Sequence, residues 1–481
     1  MSKQLLDTPE KHPFSISGLV DDAWNAVREV VFRTSWSPIT RLAESAVVAL
    51  MANIDSGDLR VLTFSHMYRF PSAPLDSQAV GDGRGDDSKA LKAELRVVDD
   101  VFWVRLCTMG DLGFAEAYMY GEVECDDLVT LFKIFLNNRE KIANLDSKAS
   151  YLFSLPQKLT SYRFLNNLSN SRSNISAHYD ISNDMFAGFL SEDMTYSCAI
   201  FEDLDGDLCR GEDQSEWSGG QSLKRIHPHT GNNLISAAEK AASNHTVDKK
   251  LRHNQGDELY EAQLRKLRHI IRKAKIKPGH RVLEIGSGWG SMAMLIAKSI
   301  LDTTVDTLTL SVQQQQLARE RIAAAGLSDR IRVHLMDYRS MPAEWEGTFD
   351  RVISVEMIEA VGAEFLKKYW SVVDWAMKKR DAVGVVQVIT IPELLFPGGF
   401  LPTLTYLLET MKEGSSGRLI VDSVSNIGPH YARTLREWRR RFIDRFEEVI
   451  VPSLKREYPE TMGGARGREE IEVFKRKWIY Y

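Results

Sequence analysis

Residues 281–290 read RVLEIGSGWG, an apolar run that breaks into a turn with glycines at 286, 288 and 290. Such a run, followed by a glycine turn and then the helical pattern from 291, reads as a buried strand entering a helix. Glycine permits positive φ and lets backbone approach a ligand where a Cβ would collide, so the turn is read as a ligand site. The bland alternative is an ordinary tight turn, but the position between a buried strand and a helix favours the ligand. Upstream, Tyr260, Leu264, Leu267, Ile271 and Ala274 recur at steps of four and three, one face of an amphipathic helix stopped by Lys277-Pro278-Gly279. Downstream, the strand-like runs TVDTLTL (304–310), RIRVHLM (330–336), FDRVISV (349–355) and GVVQVITI (384–391) alternate with helical candidates at 291–300, 312–325 and 363–379. Repeated β then α predicts a doubly wound, mostly parallel sheet with helices on both faces.

Ligands of such sheets sit at the carboxyl ends of the strands, which makes the 284–290 turn the place to look. The dinucleotide fingerprint fails because Ser291 fills its third glycine slot and Thr309-Leu310-Ser311 offers no carboxylate for a ribose. A P-loop fails because no Gly-Lys-Ser/Thr follows. A strand carboxylate, Glu284, followed by Gly286-Ser287-Gly288-Trp289-Gly290 suits S-adenosylmethionine: the carboxylate can meet the cationic amino-acid end and the glycines admit the rest. Asp337, just past the third strand, falls where adenine recognition is expected. The fold class is therefore α/β, a Rossmann-like class I methyltransferase with a smaller N-terminal α+β unit.

With 481 residues the chain holds two or three units of ordinary domain size. Apolar residues are 43% and charged residues 26%, which excludes wholesale disorder and a membrane bundle. The 61 Lys+Arg against 66 Asp+Glu, a net charge of -5, remove a global electrostatic case for nucleic acid. Four scattered cysteines with no C-x-x-C pair predict neither a disulfide scaffold nor a zinc ribbon, so no metal is expected. The N-terminus lacks the apolar core of a secretory signal, and no segment is long and apolar enough to span a bilayer, so a cytoplasmic, peripherally membrane-associated protein is expected. Residues 72–89 read as a surface loop, 90–137 as a small α+β unit, and 203–256 as a polar insertion. The division expected is 1–150 and 151–481.

The segment NISAHYDISNDMFAGFLSEDMTYSCAIF (174–201), then LEIGSGWG (283–290), TLSVQQQ (309–315), MDYRS (336–340), SVEMIEAVG (354–362), FPGGFLP (396–402) and HYARTLREW (430–438), resembles the cyclopropane fatty acid synthase family in the same order. The likeness covers about 90–200 and 257–481. It implies methyl transfer from S-adenosylmethionine onto the cis double bond of an acyl chain, followed by proton loss and ring closure, in a dry groove whose aromatics include Phe186, Phe189 and Tyr196, each of which is also an ordinary core candidate. It implies a lipid-presenting role for the N-terminal unit. It implies a bicarbonate as the base, held by Cys198, Glu359, the Ile389 backbone and Tyr431, with Gln387 where bacterial members carry a histidine. Gln387 and Ala360 are shared with the family's plant-like branch. Cofactor contacts implied are Tyr196, Ser197, Gly286 to Gly288, Thr309 to Gln314 with Ser311, and Asp337 with Tyr338. His178, Tyr179 and Asp180 are expected to shape the wall or to form a capping network.

The chain departs from that family at 391–396, where a longer covering segment is usual, and at FKRKWIYY, where members continue. A truncated or misassembled reading frame or a more open groove is the expectation. The partner expected is the unsaturated acyl chain of a phospholipid at a membrane surface, with a homodimer among the assemblies left open. Residues 249–278, with ten Lys/Arg against three acids, are the expected docking surface, although a solvated helix face reads the same way. Two alternatives stand beside this reading: a C-methyltransferase of the same family acting on another lipid or a secondary-metabolite small molecule, and a non-catalytic lipid-binding relative. Retention of Glu359, Tyr431 and the glycines favours the enzyme.

Overall fold

The computed structural model describes residues 37–71, 91–143, 182–208, 256–390, 401–464 and 467–480. The 72–89 loop, most of the 203–256 insertion, His178 to Asp180 and the 391–396 departure lie outside the described residues.

Two sheets form. The first joins β1 (Asp58–Leu62), β2 (Met67–Phe70), β3 (Lys92–Val97) and β4 (Val123–Cys125) in the order β2-β1-β3-β4, mixed in direction. Alternation in β3, with Ala93, Leu95 and Val97 inward, turns one face onto helices Ser37–Met51, Val101–Met109 and Leu128–Asn137, where Phe102, Trp103 and Ile134 fill the core.

The second sheet contains β5 (Arg281–Ile285), β6 (Thr304–Thr309), β7 (Ile331–Leu335), β8 (Arg351–Val355) and β9 (Val383–Gln387), all parallel, in the order β7-β6-β5-β8-β9. Each lies inside or within one residue of the stretch read from sequence. The helices Ser291–Ser299 and Val312–Ala324 match as well; the third reading, 363–379, resolves into a 3-10 turn at Ala363–Phe365 and a helix Leu366–Ala376. Strand order reverses between β5 and β8, which opens a crevice at their carboxyl ends.

The helix Glu258–Lys273 forms where predicted, but its buried face is offset. Leu259, Ala262, Gln263, Lys266, Leu267 and Ile270 face inward, while Tyr260, Leu264 and Ile271 are half-buried. Two polar side chains thus sit on the packed face, and both serve the crevice. The helix Gly467–Tyr480 links the two halves: Trp478 joins the aromatic cluster of Phe186, Phe189 and Phe442, and Tyr480 packs 5.9 Å from Tyr118 in the first core.

Candidate active site

A cavity opens at the carboxyl ends of β5, β6 and β8, lined by Met194 to Ser197, Lys266, Glu284 to Trp289, Thr309, Gln314, Asp337, Tyr338 and Glu356 to Met357, among others. At one end stands the glycine turn. The N–H groups of Gly286 and Ser287 both donate to the Leu308 carbonyl, at 3.0 and 2.8 Å, fixing the turn to the end of β6. Gly288 has φ +47°, and a Cβ built on it would find no atom within 4 Å, so this backbone presents an open face. An open, left-handed glycine beside a buried strand carboxylate fits S-adenosylmethionine, whose backbone-hugging edge needs that space.

Glu284 is buried in β5 and accepts a 2.6 Å hydrogen bond from Thr307 Oγ1. Burial pushes its carboxyl up to about 8, against the pull of Thr307 and Lys266. Thr309 Oγ1 donates to Gln314 Oε1 at 2.8 Å, and both line the cavity. Ser311 is not among the residues that line it: it is buried and caps the helix by accepting from the Gln314 N–H. Gly290 also lies off the lining, with φ +86°, a conformation that favours glycine at this helix start. Asp337 faces the cavity, but Arg339 occupies both of its oxygens, at 2.8 and 2.7 Å. Tyr338 lines the same wall, edge-on to Tyr369.

The stretch Thr195 to Cys198 crosses the cavity, pinned from several sides. Gln263 Nε2 donates to the Ser197 carbonyl at 2.8 Å, and Lys266 Nζ donates to Ser197 Oγ at 2.7 Å. Tyr196 packs tilted against Trp438, ring centroids 4.9 Å apart, and lines the cavity. Phe186 and Phe189 belong to the core instead, at 0% and 2% exposure. Lys266, absent from the expected site, is wholly enclosed. Burial pulls its ammonium down to about 8, while Glu356, Asp193 and Glu284 raise it.

At the other end the expected anion-binding residues converge on a carboxylate of the chain itself. The register pairs Val355, the last residue of β8, with Gln387, the last of β9. Glu356, the next residue, therefore lies within reach of the Gln387 side chain. Glu356 Oε1 accepts from the Cys198 N–H at 2.9 Å and from Gln387 Nε2 at 2.7 Å, and Oε2 accepts from the Tyr431 hydroxyl at 3.2 Å. Tyr431 enters from the helix Pro429–Asp444, which also holds the crossing stretch through Thr434 Oγ1, acceptor of the Ala199 N–H at 3.1 Å. The five residues expected to hold bicarbonate thus divide: Cys198, Gln387 and Tyr431 serve Glu356, while the Ile389 N–H donates to Glu359 Oε1 at 2.6 Å. The physical reason is that Glu356 already fills the donors.

Both carboxyls are pushed up, mainly by burial. Glu356 is partly relieved by its three donors and the Lys266 charge. Glu359 reaches about 8, with Glu356 as the second cause, and its Oε2 has no hydrogen-bond partner among the described residues. Of this adjacent pair, Glu356 has three donors that favour its charged form, while Glu359 has the Ile389 N–H, with the Glu356 carboxyl beside it raising it further. Cys198 contributes its backbone. Burial and then Glu356 push its thiol up to about 12, and Sγ donates to the carbonyls of Ala199 and Ile427, at 3.4 and 3.7 Å. Among the described residues no helix is long and apolar enough to cross a membrane.

The family described as mycolic acid cyclopropane synthetase matches residues 166–227 and 251–461, more than half of the chain. The chain is 32% identical over 370 residues to the tuberculostearic acid methyltransferase UfaA1 of Mycobacterium tuberculosis, covering 72% of this chain and 74% of that one. It is 29% identical over 370 residues to the cyclopropane-fatty-acyl-phospholipid synthase of Escherichia coli, covering 74% and 78%. Among solved structures, a coclaurine N-methyltransferase bound to N-methylheliamine and SAH superposes with a TM-score of 0.51 at 15% identity, over 76% of this chain and 91% of that one, a likeness of fold. With this fold, this crevice and these matches, the chain belongs to the cyclopropane synthase family of S-adenosylmethionine-dependent methyltransferases.

Proposed function

We propose that the chain transfers a one-carbon group from S-adenosylmethionine to the cis double bond of an unsaturated phospholipid acyl chain, giving a cyclopropane or methyl-branched chain. The observation that carries this reading is one cavity with an open glycine turn on one side and the Glu356 carboxyl, held by three donors, on the other. When bound, S-adenosylmethionine supplies a methyl group made electrophilic by its sulfonium. Gly286 to Gly288, Glu284, Thr309 and Gln314 would hold it, and Tyr196 with Trp289 would wall the reacting end. An alkene that gains a methyl cation becomes a carbocation that water would quench, so the walls must exclude water and present aromatic faces to the charge. A proton must then leave the new carbon for a base within the cavity.

The Escherichia coli relative is named for a phospholipid product, and the exposed Arg268, Arg272, Lys273 and Lys277 support docking at an anionic surface. Lys266, counted in that basic segment from sequence, is buried and belongs to the site instead. The 32% identity to a tuberculostearic acid methyltransferase favours the methyl-branched product as a second reading. Incubation with methyl-deuterated S-adenosylmethionine and vesicles of monounsaturated or saturated phospholipid tests the proposal. Label in acyl chains from unsaturated vesicles alone is expected, and mass distinguishes ring from branch. Label in neither lipid would overturn it.

A further inference from the structure

We infer that Glu356 is the general base of this chain, standing in the place where the family resemblance puts a bicarbonate. The inference rests on the methyl-transfer reading above. Its first support is the donor set: the Cys198 N–H, the Gln387 amide and the Tyr431 hydroxyl all end on the Glu356 carboxylate. A separate anion would need those same donors. It would also have to sit beside a charged carboxylate, where two unit charges about 4 Å apart repel by roughly 4 kcal/mol at an effective dielectric near 20.

The second support is backbone conformation. Glu356 has φ +48°, a left-handed conformation that glycine adopts freely and a side chain pays for. Its N–H is held by the Gln387 carbonyl at 2.9 Å, so the strand end over-determines the strained position. A glutamate where glycine would be easier means that the carboxylate is placed there against local preference. The third support is location. Glu356 lines the same cavity as the glycine turn, with the enclosed Lys266 ammonium nearby favouring the ionised carboxylate.

The proton balance closes without any further reactant. On the methylated acyl chain a C–H bond of the added carbon breaks, and its electron pair forms the third ring bond to the cationic carbon. The proton passes to a Glu356 oxygen and leaves to water as product departs, restoring the carboxylate.

The test compares wild type, Glu356→Gly and Glu356→Gln, each saturated with S-adenosylhomocysteine for binding and with S-adenosylmethionine for turnover. Carbon-13 bicarbonate observed by NMR is expected to bind saturably to Glu356→Gly, whose cavity is emptied and whose backbone is unstrained, and not to wild type. In carbon-dioxide-stripped buffer, wild-type turnover is expected to be unchanged. Both variants are expected to fall about 10²- to 10⁴-fold, the range of a general base, with added bicarbonate rescuing Glu356→Gly alone. Saturable bicarbonate binding to wild type, loss of wild-type turnover in stripped buffer, full turnover in Glu356→Gln, or no binding to Glu356→Gly would each overturn the inference. Glu356→Gln keeps the side-chain volume, so it answers the question even if the glycine variant unfolds. If no form labels any lipid, the proposed function falls, while the bicarbonate-binding comparison still decides what fills the anion position.

Discussion

The two ends of the cavity are built in opposite ways. The cofactor end is a local object: one strand, one turn and one helix start supply Glu284, Gly286 and Gly288 within five residues, and the turn presents an open face. The base end is assembled from four distant segments, at 198, 356, 387 and 431, and every oxygen of its central carboxylate is engaged. An open end admits a ligand, whereas a saturated end fixes a charge. Between them lies the Lys266 ammonium, donating to Ser197 Oγ.

The largest effect that would break this comparison is at that bridge. Lys266→Met removes the buried cation, leaves Ser197 Oγ without its donor and takes away a charge that favours the ionised Glu356, a class of change that costs about 1–3 kcal/mol. A large fall in urea midpoint is expected by circular dichroism; unchanged stability would mean that the ammonium does not balance the two ends. Next, Gly288→Val tests the open end. Its Cβ meets no protein atom, but a branched side chain at φ +47° is strained and would stand in ligand space, so binding is measured on a variant shown to be folded by circular dichroism. Calorimetry is expected to show at least about 100-fold weaker S-adenosylmethionine binding, roughly 2.7 kcal/mol. Wild-type affinity in a folded variant would refute the site.

Smaller effects sharpen the assignment within the saturated end. Glu359→Gln replaces a carboxyl that burial and Glu356 push up to about 8 and keeps an oxygen for the Ile389 N–H, so turnover is expected to fall less than about tenfold, far short of the loss from Glu356→Gln. Equal losses would mean that the two glutamates share the charge. Least of all, Cys198→Ala keeps the N–H that reaches Glu356. It costs turnover less than about threefold and stability about 1 kcal/mol through the small cavity left behind, measured by steady-state rate and thermal melting.

The same contrast explains what the sequence made legible. Strand–turn–helix periodicity is local, so β5 to β9 and the glycine turn emerge from residues 281–387 almost residue for residue. Glu356 stood inside the quoted SVEMIEAVG, yet its role depends on the pairing of Val355 with Gln387 and on a positive φ, neither of which is written in the string. A carboxylate directly after the strand at the switch point was the available signal. Lys266 was hidden for another reason. On a helix rich in surface Lys and Arg one more lysine reads as solvated, and only its spacing with Leu259, Gln263 and Ile270 places it on the packed face. Ser311 shows the reverse ambiguity, because a cap at a helix start and a ligand contact occupy the same place in sequence.

The most direct measurement is a crystal structure of the wild-type chain with S-adenosylhomocysteine, grown in bicarbonate-containing buffer. The sulfur is expected in the cavity between the Gly286–Gly288 turn and Glu356, whose carboxylate keeps the Cys198, Gln387 and Tyr431 donors with no separate anion present. A nucleoside bound elsewhere, or a bicarbonate seated on those three donors with Glu356 swung away, would contradict it.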